Sequence, residues 1–299
     1  MLPQRGEDML DLKVHTFLKV VELGSYTAAA AALHLTQPAV TQHIARLEEH
    51  YGCRLFRPEG RGVRLTEAGE SFLRYARMQR ANEMQLQRDL ERVHLPLRLG
   101  STLSIADYYL PELILPLCGR EAHLPCVEVA NTEILLGKLL AGELDAAFIE
   151  GIFDRACFEA KVFSEPEFVP VAAADHPLAG REVTLEELHE YPIICREAGS
   201  GTRAVMENYL ARQNDSPNSF AQLWEAGSFA LIKQMLRGTQ AVSFMYEAVA
   251  RREVEEGSLK RLNIRGYDVC HALHFVYLKH SLRRRAVEEL FERMVPQAL

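Results

Sequence analysis

Short polar side chains of the kinds that read DNA bases lie between residues 36 and 46 of the 299-residue chain. Glutamine can bond adenine at two positions, and threonine offers a hydroxyl and a methyl group. Thr36 and Pro38 predict the start of a helix, because threonine caps helices and proline is tolerated in a first turn. The predicted outer side of this helix carries Gln37, Thr41, Gln42 and Arg46. Such a helix suits the major groove of DNA.

A second set of side chains could hold the DNA backbone. Hydroxyl and guanidinium groups bind phosphates and position a protein without specifying sequence. The candidates are Ser25, Thr27, Arg57, Arg61 and Arg64. The first 95 residues hold 13 basic against 12 acidic side chains, and the remaining 204 hold 21 against 29. The acidity behind the net charge of -7 therefore lies in the C-terminal part, away from the candidate phosphate contacts.

Periodicity and capping residues predict the elements that position these groups. Apolar residues at helical spacing from Val14 to Val21 predict a first helix, which Gly24 ends. Ser25 is well placed to cap an alanine-rich second helix from Tyr26 to Leu33, and alanine favours helix. The strands of a predicted two-stranded wing are Leu55-Phe56 and Val63-Arg64-Leu65.

A long helix and then a change of pattern follow the wing. Thr66 is predicted to cap a helix that runs to about His94, and its polar-flecked heptad pattern favours a dimerising linker. A monomeric surface helix is the alternative. Leu95-Pro96 marks a boundary, beyond which short apolar strands alternate with helices, one of them predicted from Ile105 to Leu117. This alternation predicts two α/β lobes around a cleft.

The segment from Phe17 to Gly69 resembles the DNA-binding region of LysR-type transcriptional regulators. The resemblance rests on Gly24-Ser25, the alanine run, Thr36-Gln37-Pro38-Ala39-Val40, Leu47-Glu48, Gly52, Leu55-Phe56, and Leu65-Thr66 followed by Ala68-Gly69. Two departures are visible: Thr41 stands where the family often has serine, and Pro58 stands where an arginine is usual.

The resemblance continues through LRLGSTLSIADYYLP, LLAGELDAAFIEG and REAGSGTR, which are similar to the family's effector domain. It implies an α+β and α/β multi-domain protein. The expected parts are a winged helix-turn-helix over residues 1–65, a linker helix over 66–95 and a two-lobed domain like the periplasmic binding proteins over 96–299. Lobe one is expected over about 97–165 and 269–299, and lobe two over about 166–268.

By this resemblance a small effector lies between the lobes. The candidate ligands are Gly199, Ser200, Gly201, Thr202 and Arg203 on one side and Thr102, Ser104 and Thr132 on the other. Hydroxyls and free N–H groups at helix starts favour anions, so the residues predict a site for a small oxyanion or carboxylate. Glu150 at a strand end would line the same cleft. Its carboxylate would repel a fully charged anion and accept a hydrogen bond from a protonated one.

The resemblance also implies partners. These are double-stranded operator DNA, a second copy through the linker helix, further pairing into a homotetramer, and RNA polymerase. The combination of REAGSGTR and FIEG is most similar to members that govern sulfur metabolism and sense sulfur oxyanions, and to relatives regulating carbon fixation. The N-terminus lacks a secretory signal and no apolar run approaches the ~20 residues of a membrane span, which predicts a cytoplasmic chain without a membrane partner.

Sequence motifs also bear on two other classes of protein, an enzyme and a redox-sensing regulator. The segment AGSGTR lacks the Gly-Lys-Ser/Thr ending of a phosphate-binding P-loop, is not a G-x-S-x-G elbow, and no histidine pair sits at metal spacing. We therefore expect no catalytic residue, cofactor or metal. The six cysteines are scattered without a C-x-x-C pair, which predicts reduced thiols. A cysteine-based redox-sensing regulator of the same architecture is the alternative, and it needs two cysteines close in space.

Overall fold

The computed structural model describes residues 11–60, 62–91, 96–118 and 125–295. The chain forms two compact units. The first holds the residues up to Leu95 with two later segments, Leu140–Glu143 and Leu278–Arg283, and the second holds the remainder. In the part of the chain that is described, no helix is both long and apolar enough to cross a lipid bilayer.

Helices and one hairpin make up the first unit. Its elements are α1 (Leu12–Leu23), α2 (Tyr26–Ala32), α3 (Gln37–Tyr51), β1 (Phe56–Glu59), β2 (Gly62–Leu65) and α4 (Glu67–Glu91). Capping groups set several bounds, because helix ends leave N–H and C=O groups without partners. Ser25 accepts a hydrogen bond from the Ala28 N–H, Thr36 accepts one from the Ala39 N–H, and Gly24 ends α1 with a φ of 63°.

A hydrophobic core of its own holds the first unit together. Phe17 of α1 lies between Phe56 of the hairpin and Phe72 of α4, with ring centroids 5.2 and 4.7 Å away. Val40 and Ile44 bury the inner side of α3 in the same core. Burial of each such side chain contributes about 1.5–3 kcal/mol. The opposite side of α3 is therefore left for solvent or a partner.

Strands and helices alternate through the second unit. Its elements are β3 (Arg98–Ser101), α5 (Leu103–Tyr108), α6 (Leu110–Ile114), β4 (Cys126–Val129), α7 (Thr132–Leu140), β5 (Ala146–Ile149), β6 (Phe158–Ser164), β7 (Phe168–Ala173), β8 (Glu182–Val183), α8 (Leu185–Leu188), β9 (Ile193–Cys195), α9 (Gly201–Arg212), β10 (Leu223–Glu225), α10 (Phe229–Gly238), β11 (Val242–Tyr246), α11 (Glu247–Glu255), β12 (Leu259–Arg261), β13 (Asn263–Ile264), β14 (Leu273–Leu278) and α12 (Arg284–Met294).

These strands form two five-stranded sheets, which define two lobes. We call lobe one the part built on the sheet with strand order β4-β3-β5-β14-β6, and lobe two the part built on the sheet β10-β9-β11-β7-β12. In lobe one, β3 runs parallel to β4 and β5, so Thr102 and Glu150 follow strands that end at one sheet edge. In lobe two, β9 runs parallel to β10 and β11, and the loop after it leads to Gly201. Strand carboxyl ends are where open α/β sheets bind ligands.

The predicted helix from Ile105 to Leu117 is wrong. The chain instead forms α5, α6 and a 3₁₀ turn at Leu115–Leu117. The break falls at Tyr109, whose φ of -124° is not helical, and Pro111 lies in the first turn of α6. Because proline lacks an N–H and its ring would clash with the carbonyl four residues earlier, at Asp107, one continuous helix cannot form here.

Candidate DNA interface and effector cleft

The outer face of α3 is exposed and polar. Val40, Ile44 and Leu47 hold the inner face in the core, which turns the intervening positions outward. The exposed residues are Thr36, Gln37, Pro38, Thr41, Gln42 and Arg46. The Gln37 amide lies 3.4 Å from the Thr41 hydroxyl, and this hydroxyl donates to the Gln37 carbonyl at 3.1 Å. The side-chain groups that could meet base edges are thus grouped on one helix face.

The hairpin β1–β2 forms the wing, and its exposed face is basic. Arg57 and Arg64 lie directly opposite each other across the two strands. Like charges in directly opposed positions destabilise a sheet, and the hairpin's own Glu59 offsets only part of this repulsion. Arg64 also donates to Glu59 at 3.1 Å. Arg61 lies outside the described residues. Thr27 is exposed on α2, whereas the half-buried Ser25 serves as its cap.

Glu48 ties the wing to α3. Its carboxylate is 9% exposed and accepts hydrogen bonds from the Leu55 N–H at 2.8 Å and the Phe56 N–H at 3.3 Å. Arg54 donates to its second oxygen at 2.7 Å. One side chain near the end of α3 therefore satisfies the backbone at the start of the wing, where unpaired buried N–H groups would be costly. The wing and α3 are thereby held in a fixed geometry.

A buried carboxylate lies at the meeting point of the two lobes. Glu150 is 1% exposed, and its carboxylate accepts hydrogen bonds from Ser104 at 2.6 Å, from Thr202 at 3.0 Å and from Thr102. Thr102 and Ser104 belong to lobe one and Thr202 to lobe two. The Thr132 hydroxyl donates to the Glu150 carbonyl oxygen at 2.9 Å. Four of the predicted ligand hydroxyls are thus brought together around Glu150.

Backbone atoms of the lobes touch beside this cluster. A Cβ atom on Gly151 would lie 2.7 Å from the Gly201 Cα, and one on Gly201 would lie 2.6 Å from the Thr132 hydroxyl. The Glu133 N–H donates to the Gly199 carbonyl at 3.3 Å across the same junction. Only glycine allows so close an approach, which explains the small residues of the GSGTR loop. The lobes are closed on one another in this structure.

Charged and phenolic groups surround Glu150. Burial raises the pKa of its carboxyl above the ordinary value, and hydrogen bonds from Ser104, Thr102 and Thr202, followed by the Arg196 charge, offset part of this. Arg196 is 6% exposed, donates to Glu197 at 2.8 Å and lies 4.7 Å from the ring of Phe229. The Tyr109 and Tyr246 phenols are close enough for the Glu150 charge to raise their pKa values. For both phenols burial is the larger cause, and the pKa of Tyr109 reaches about 12.

Replacing Glu150 by glutamine is expected to stabilise the second unit at neutral pH by about 1 kcal/mol, the scale of an ordinary single substitution. An acid whose folded pKa is raised contributes stability below its unfolded pKa of 4.5 and loses it as the pH rises through the folded value. Glutamine does not titrate. The melting-temperature difference between variant and parent should therefore grow from acid to neutral pH. The exposed control Glu190→Gln should show no such trend, and a pH-independent difference for Glu150→Gln would contradict the assignment.

A cavity of about 440 Å³ opens beside the closed junction. It is lined in part by Thr132, Gly199, Ser200, Gly201 and Arg203. Arg203 donates to Glu207 at 2.7 Å, to Glu225 at 2.6 Å and to the Arg196 carbonyl. Its guanidinium is therefore already engaged by carboxylates, which weakens the prediction that it binds an anionic effector directly.

Sequence reasoning missed the groups that approach Glu150 from the second lobe and from the helix break. Arg196 opens the REAGSGTR motif that was used only for its loop, and Tyr109 stands at the break that was predicted to be helix. Tyr246 ends β11. The Tyr109 hydroxyl is buried and has no hydrogen-bond partner among the described residues. A buried tyrosine hydroxyl normally finds a partner, so this one is an exception among the described residues.

The profile described as "Bacterial regulatory helix-turn-helix protein, lysR family" matches residues 13–70, and the profile "LysR substrate binding domain" matches residues 91–298. The RuBisCO operon transcriptional regulator of Allochromatium vinosum is 30% identical over 271 residues, which cover 89% of this chain and 88% of that protein. The HTH-type transcriptional regulator CysL of Bacillus subtilis is 26% identical over 268 residues, covering 88% of this chain and 89% of that protein.

Solved structures show the same fold. An H2O2-bound mutant of Corynebacterium glutamicum OxyR matches with a TM-score of 0.59 and 21% identity, covering 97% of this chain and 92% of that one. The regulatory domain of Synechocystis PCC6803 CcmR, solved with 2-PG, matches with a TM-score of 0.59 and 22% identity over 68% of this chain and 98% of that one.

The fold and the two family matches define a winged helix-turn-helix regulator with a two-lobed substrate-binding domain. The chain belongs to the LysR family of transcriptional regulators. It is a DNA-binding regulator with an effector-binding domain, and the named relatives are regulators rather than enzymes. The fold class and the regulatory function predicted from the sequence are thereby confirmed.

Proposed function

We propose that this LysR-type regulator reads operator DNA with the outer face of α3 and responds to a small anion bound between its lobes. The observation that carries the proposal is the convergence of hydroxyls from both lobes on one buried point. A ligand that bound there would contact both lobes and favour one arrangement of them. It can shift that arrangement only by its differential affinity for the two states.

The DNA half of the proposal assigns roles by position. Gln37, Thr41 and Gln42 would contact base edges, and Arg46 would reach a phosphate or a guanine edge. The groups proposed to bind phosphates are Ser25, Thr27, Arg57, Arg61 and Arg64. The opposed pair of Arg57 and Arg64 supports this assignment, because a phosphate between or beside them would relieve the repulsion of like charges.

Replacing Gln37 by alanine is expected to weaken binding to the specific operator by about 1–3 kcal/mol, the scale of one good base contact. Binding to random DNA should change little, because phosphate contacts dominate it. Titrations of both DNAs at one salt concentration measure this difference. The exposed Gln213→Ala change in the second unit is the matched control. Equal losses on specific and random DNA would show that Gln37 does not read bases.

The effector half of the proposal names a small oxyanion or carboxylate. The proposed contacts are Thr102, Ser104, Thr132, Thr202 and the backbone of Gly199, Ser200 and Gly201, with Glu150 at the centre and Arg203 at the rim. The adjoining cavity of about 440 Å³ meets the junction at Thr132 and Gly201. A thermal-shift titration of the full chain with sulfate, sulfite, thiosulfate, phosphate and carboxylates tests the proposed anion site. The proposal requires that at least one of these anions raise the melting temperature.

Self-association completes the proposal. The long helix α4 leaves Tyr75, Leu86 and Leu90 exposed, at 45%, 41% and 78%. A cavity of about 680 Å³ lies between α1, α3 and α4 and shares Tyr75 and Leu86 with this stripe. These features support dimerisation through α4, since exposed apolar surface on a helix favours a partner helix. Exposed Val129 and Leu223 on the edge strands β4 and β10 support further pairing into a tetramer, which would then contact RNA polymerase.

Two more specific functions within the family, sensing of sulfur oxyanions and cysteine-based redox sensing, receive different support. The relatives include regulators of RuBisCO operons as well as CysL, so a sulfur-oxyanion effector is one member of the proposed class. The redox alternative gains little, because Cys53, Cys118, Cys126, Cys195 and Cys270 are free thiols. Burial raises the pKa of the Cys195 thiol to about 12, which disfavours the reactive thiolate. If peroxide and dithiothreitol both leave DNA binding unchanged, the redox-sensing alternative is excluded.

A further inference from the structure

Three of the hydroxyls at the lobe junction already donate to a carboxylate of the protein itself. Thr102, Ser104 and Thr202 each direct a proton at the Glu150 carboxylate. An ionised carboxylate is only an acceptor. An incoming anion that also offers only acceptor oxygens would have to face this carboxylate with no proton between them.

We propose that the junction selects oxyanions that retain a proton, with Glu150 accepting a hydrogen bond from the ligand's own hydroxyl, and that it rejects fully deprotonated oxyanions such as sulfate. The inference rests on the proposed function, in which the effector binds between the lobes, and it specifies the chemical class. N–H donors would hold either kind of anion, whereas a buried carboxylate accepts a hydrogen bond only from an anion that retains a proton.

The other groups that face Glu150 do not remove this requirement. From lobe two, Arg196 brings a positive charge, but its guanidinium is held by Glu197 and by the ring of Phe229. Tyr246 at the end of β11 is a buried phenol in contact with His271 at 3.4 Å. Glu150 is therefore surrounded mainly by neutral donors, and an added acceptor-only anion would meet a charge that they do not cancel.

Tyr109 supplies the second observation that points to a ligand. Its hydroxyl is buried without a partner among the described residues, and Tyr109 follows directly after α5, the helix that carries Ser104. The chain thus holds both kinds of group that a protonated oxyanion needs. One acceptor, Glu150, would take the ligand's proton-bearing oxygen, and one free donor, Tyr109, would serve an oxygen without a proton.

The test uses two pairs of tetrahedral anions that match in size and differ in protons. Phosphate and arsenate retain at least one proton at neutral pH, whereas sulfate and selenate retain none. Calorimetric titration of the full chain at matched ionic strength should show phosphate and arsenate binding about a hundredfold more tightly, the scale of one hydrogen bond to a buried charge. In Glu150→Gln, whose amide can donate, the ratio should fall to within about threefold because sulfate and selenate gain affinity. The exposed control Glu190→Gln should keep the parental ratio.

Each outcome of these titrations either supports or overturns the inference. Equal affinities of the parental chain for sulfate and phosphate would overturn the inference and leave the proposed anion site intact. Binding of none of the four anions would overturn the inference together with the inorganic-oxyanion part of the proposed function. Selectivity that survives Glu150→Gln would show that another group makes the distinction. The selectivity of the parental chain alone decides the matter if the variant fails to fold, which its circular dichroism melt reveals.

Discussion

Alanine at position 69 is expected to destabilise the DNA-binding unit by about 3 kcal/mol, at the upper end of overpacking effects. Gly69 lies in the first turn of α4, where a Cβ atom would lie 2.9 Å from the Leu65 Cδ2 and well inside 3.0 Å of the Leu55 carbonyl oxygen. That carbonyl accepts the Thr66 N–H at 3.0 Å, so the backbone cannot withdraw without losing a hydrogen bond. The methyl group would therefore separate α4 from the wing.

Denaturant unfolding followed by circular dichroism, together with operator binding, measures this effect. Gly137→Ala is the matched control, because Gly137 lies within helix α7 and a Cβ there would meet nothing within 4 Å. Alanine at such a site should stabilise by about 0.4–1 kcal/mol. If both variants unfold at the same denaturant concentration as the parent, the close approach of α4 to the wing is not as described.

Alanine at position 201 is expected to weaken binding of the anion roughly ten- to hundredfold, the equivalent of one lost hydrogen bond to a charged group. Its methyl group would lie 2.6 Å from the Thr132 hydroxyl and closer still to the Glu150 carbonyl oxygen. Because these are the facing atoms of the other lobe, the lobes must part. The 3.0 Å hydrogen bond from Thr202 to Glu150 then breaks, and lobe two no longer contributes its hydroxyl to the ligand.

The measurement is an anion titration of the Gly201→Ala chain, with operator binding in the absence of anion as the second readout. Operator affinity should stay within about threefold of the parent, because the change lies in the ligand-binding unit. Gly238→Ala on lobe two is the control, since a Cβ there would be in open space. Full anion affinity in Gly201→Ala would show that the lobes need not close on the ligand.

The elements of the DNA-binding unit could be predicted because their signals are local. Gly24, Ser25 and Thr36 act within a few residues of the groups they satisfy, so their roles can be read from spacing alone. The path of α5 and α6 was predicted wrongly because apolar periodicity was given more weight than the prolines that interrupt it.

The cleft was predicted only in part. The sequence and its family resemblance pointed to the hydroxyls and to Glu150 but not to their direct pairing, because Thr102, Glu150 and Thr202 are about fifty residues apart and meet only through sheet order. Tyr109 lies within the segment LRLGSTLSIADYYLP, but no spacing there singles it out, and Tyr246 lies outside every motif quoted from the sequence. The effect of the Glu150 charge on both phenols exists only in the folded chain. Arg203 was recognised as a cation, but its carboxylate partners on α9 and β10 were not.

The hydrogen bonds between Glu48 and the backbone at the start of the wing fix the spacing between α3 and the hairpin. If α3 enters the major groove and the wing meets the DNA backbone, as proposed, DNA whose groove dimensions differ from this spacing must itself bend or widen. The cost of such deformation depends on base sequence, so operator preference should extend to base pairs that no side chain touches. A carboxylate that contacts no DNA would in this way take part in choosing the binding site.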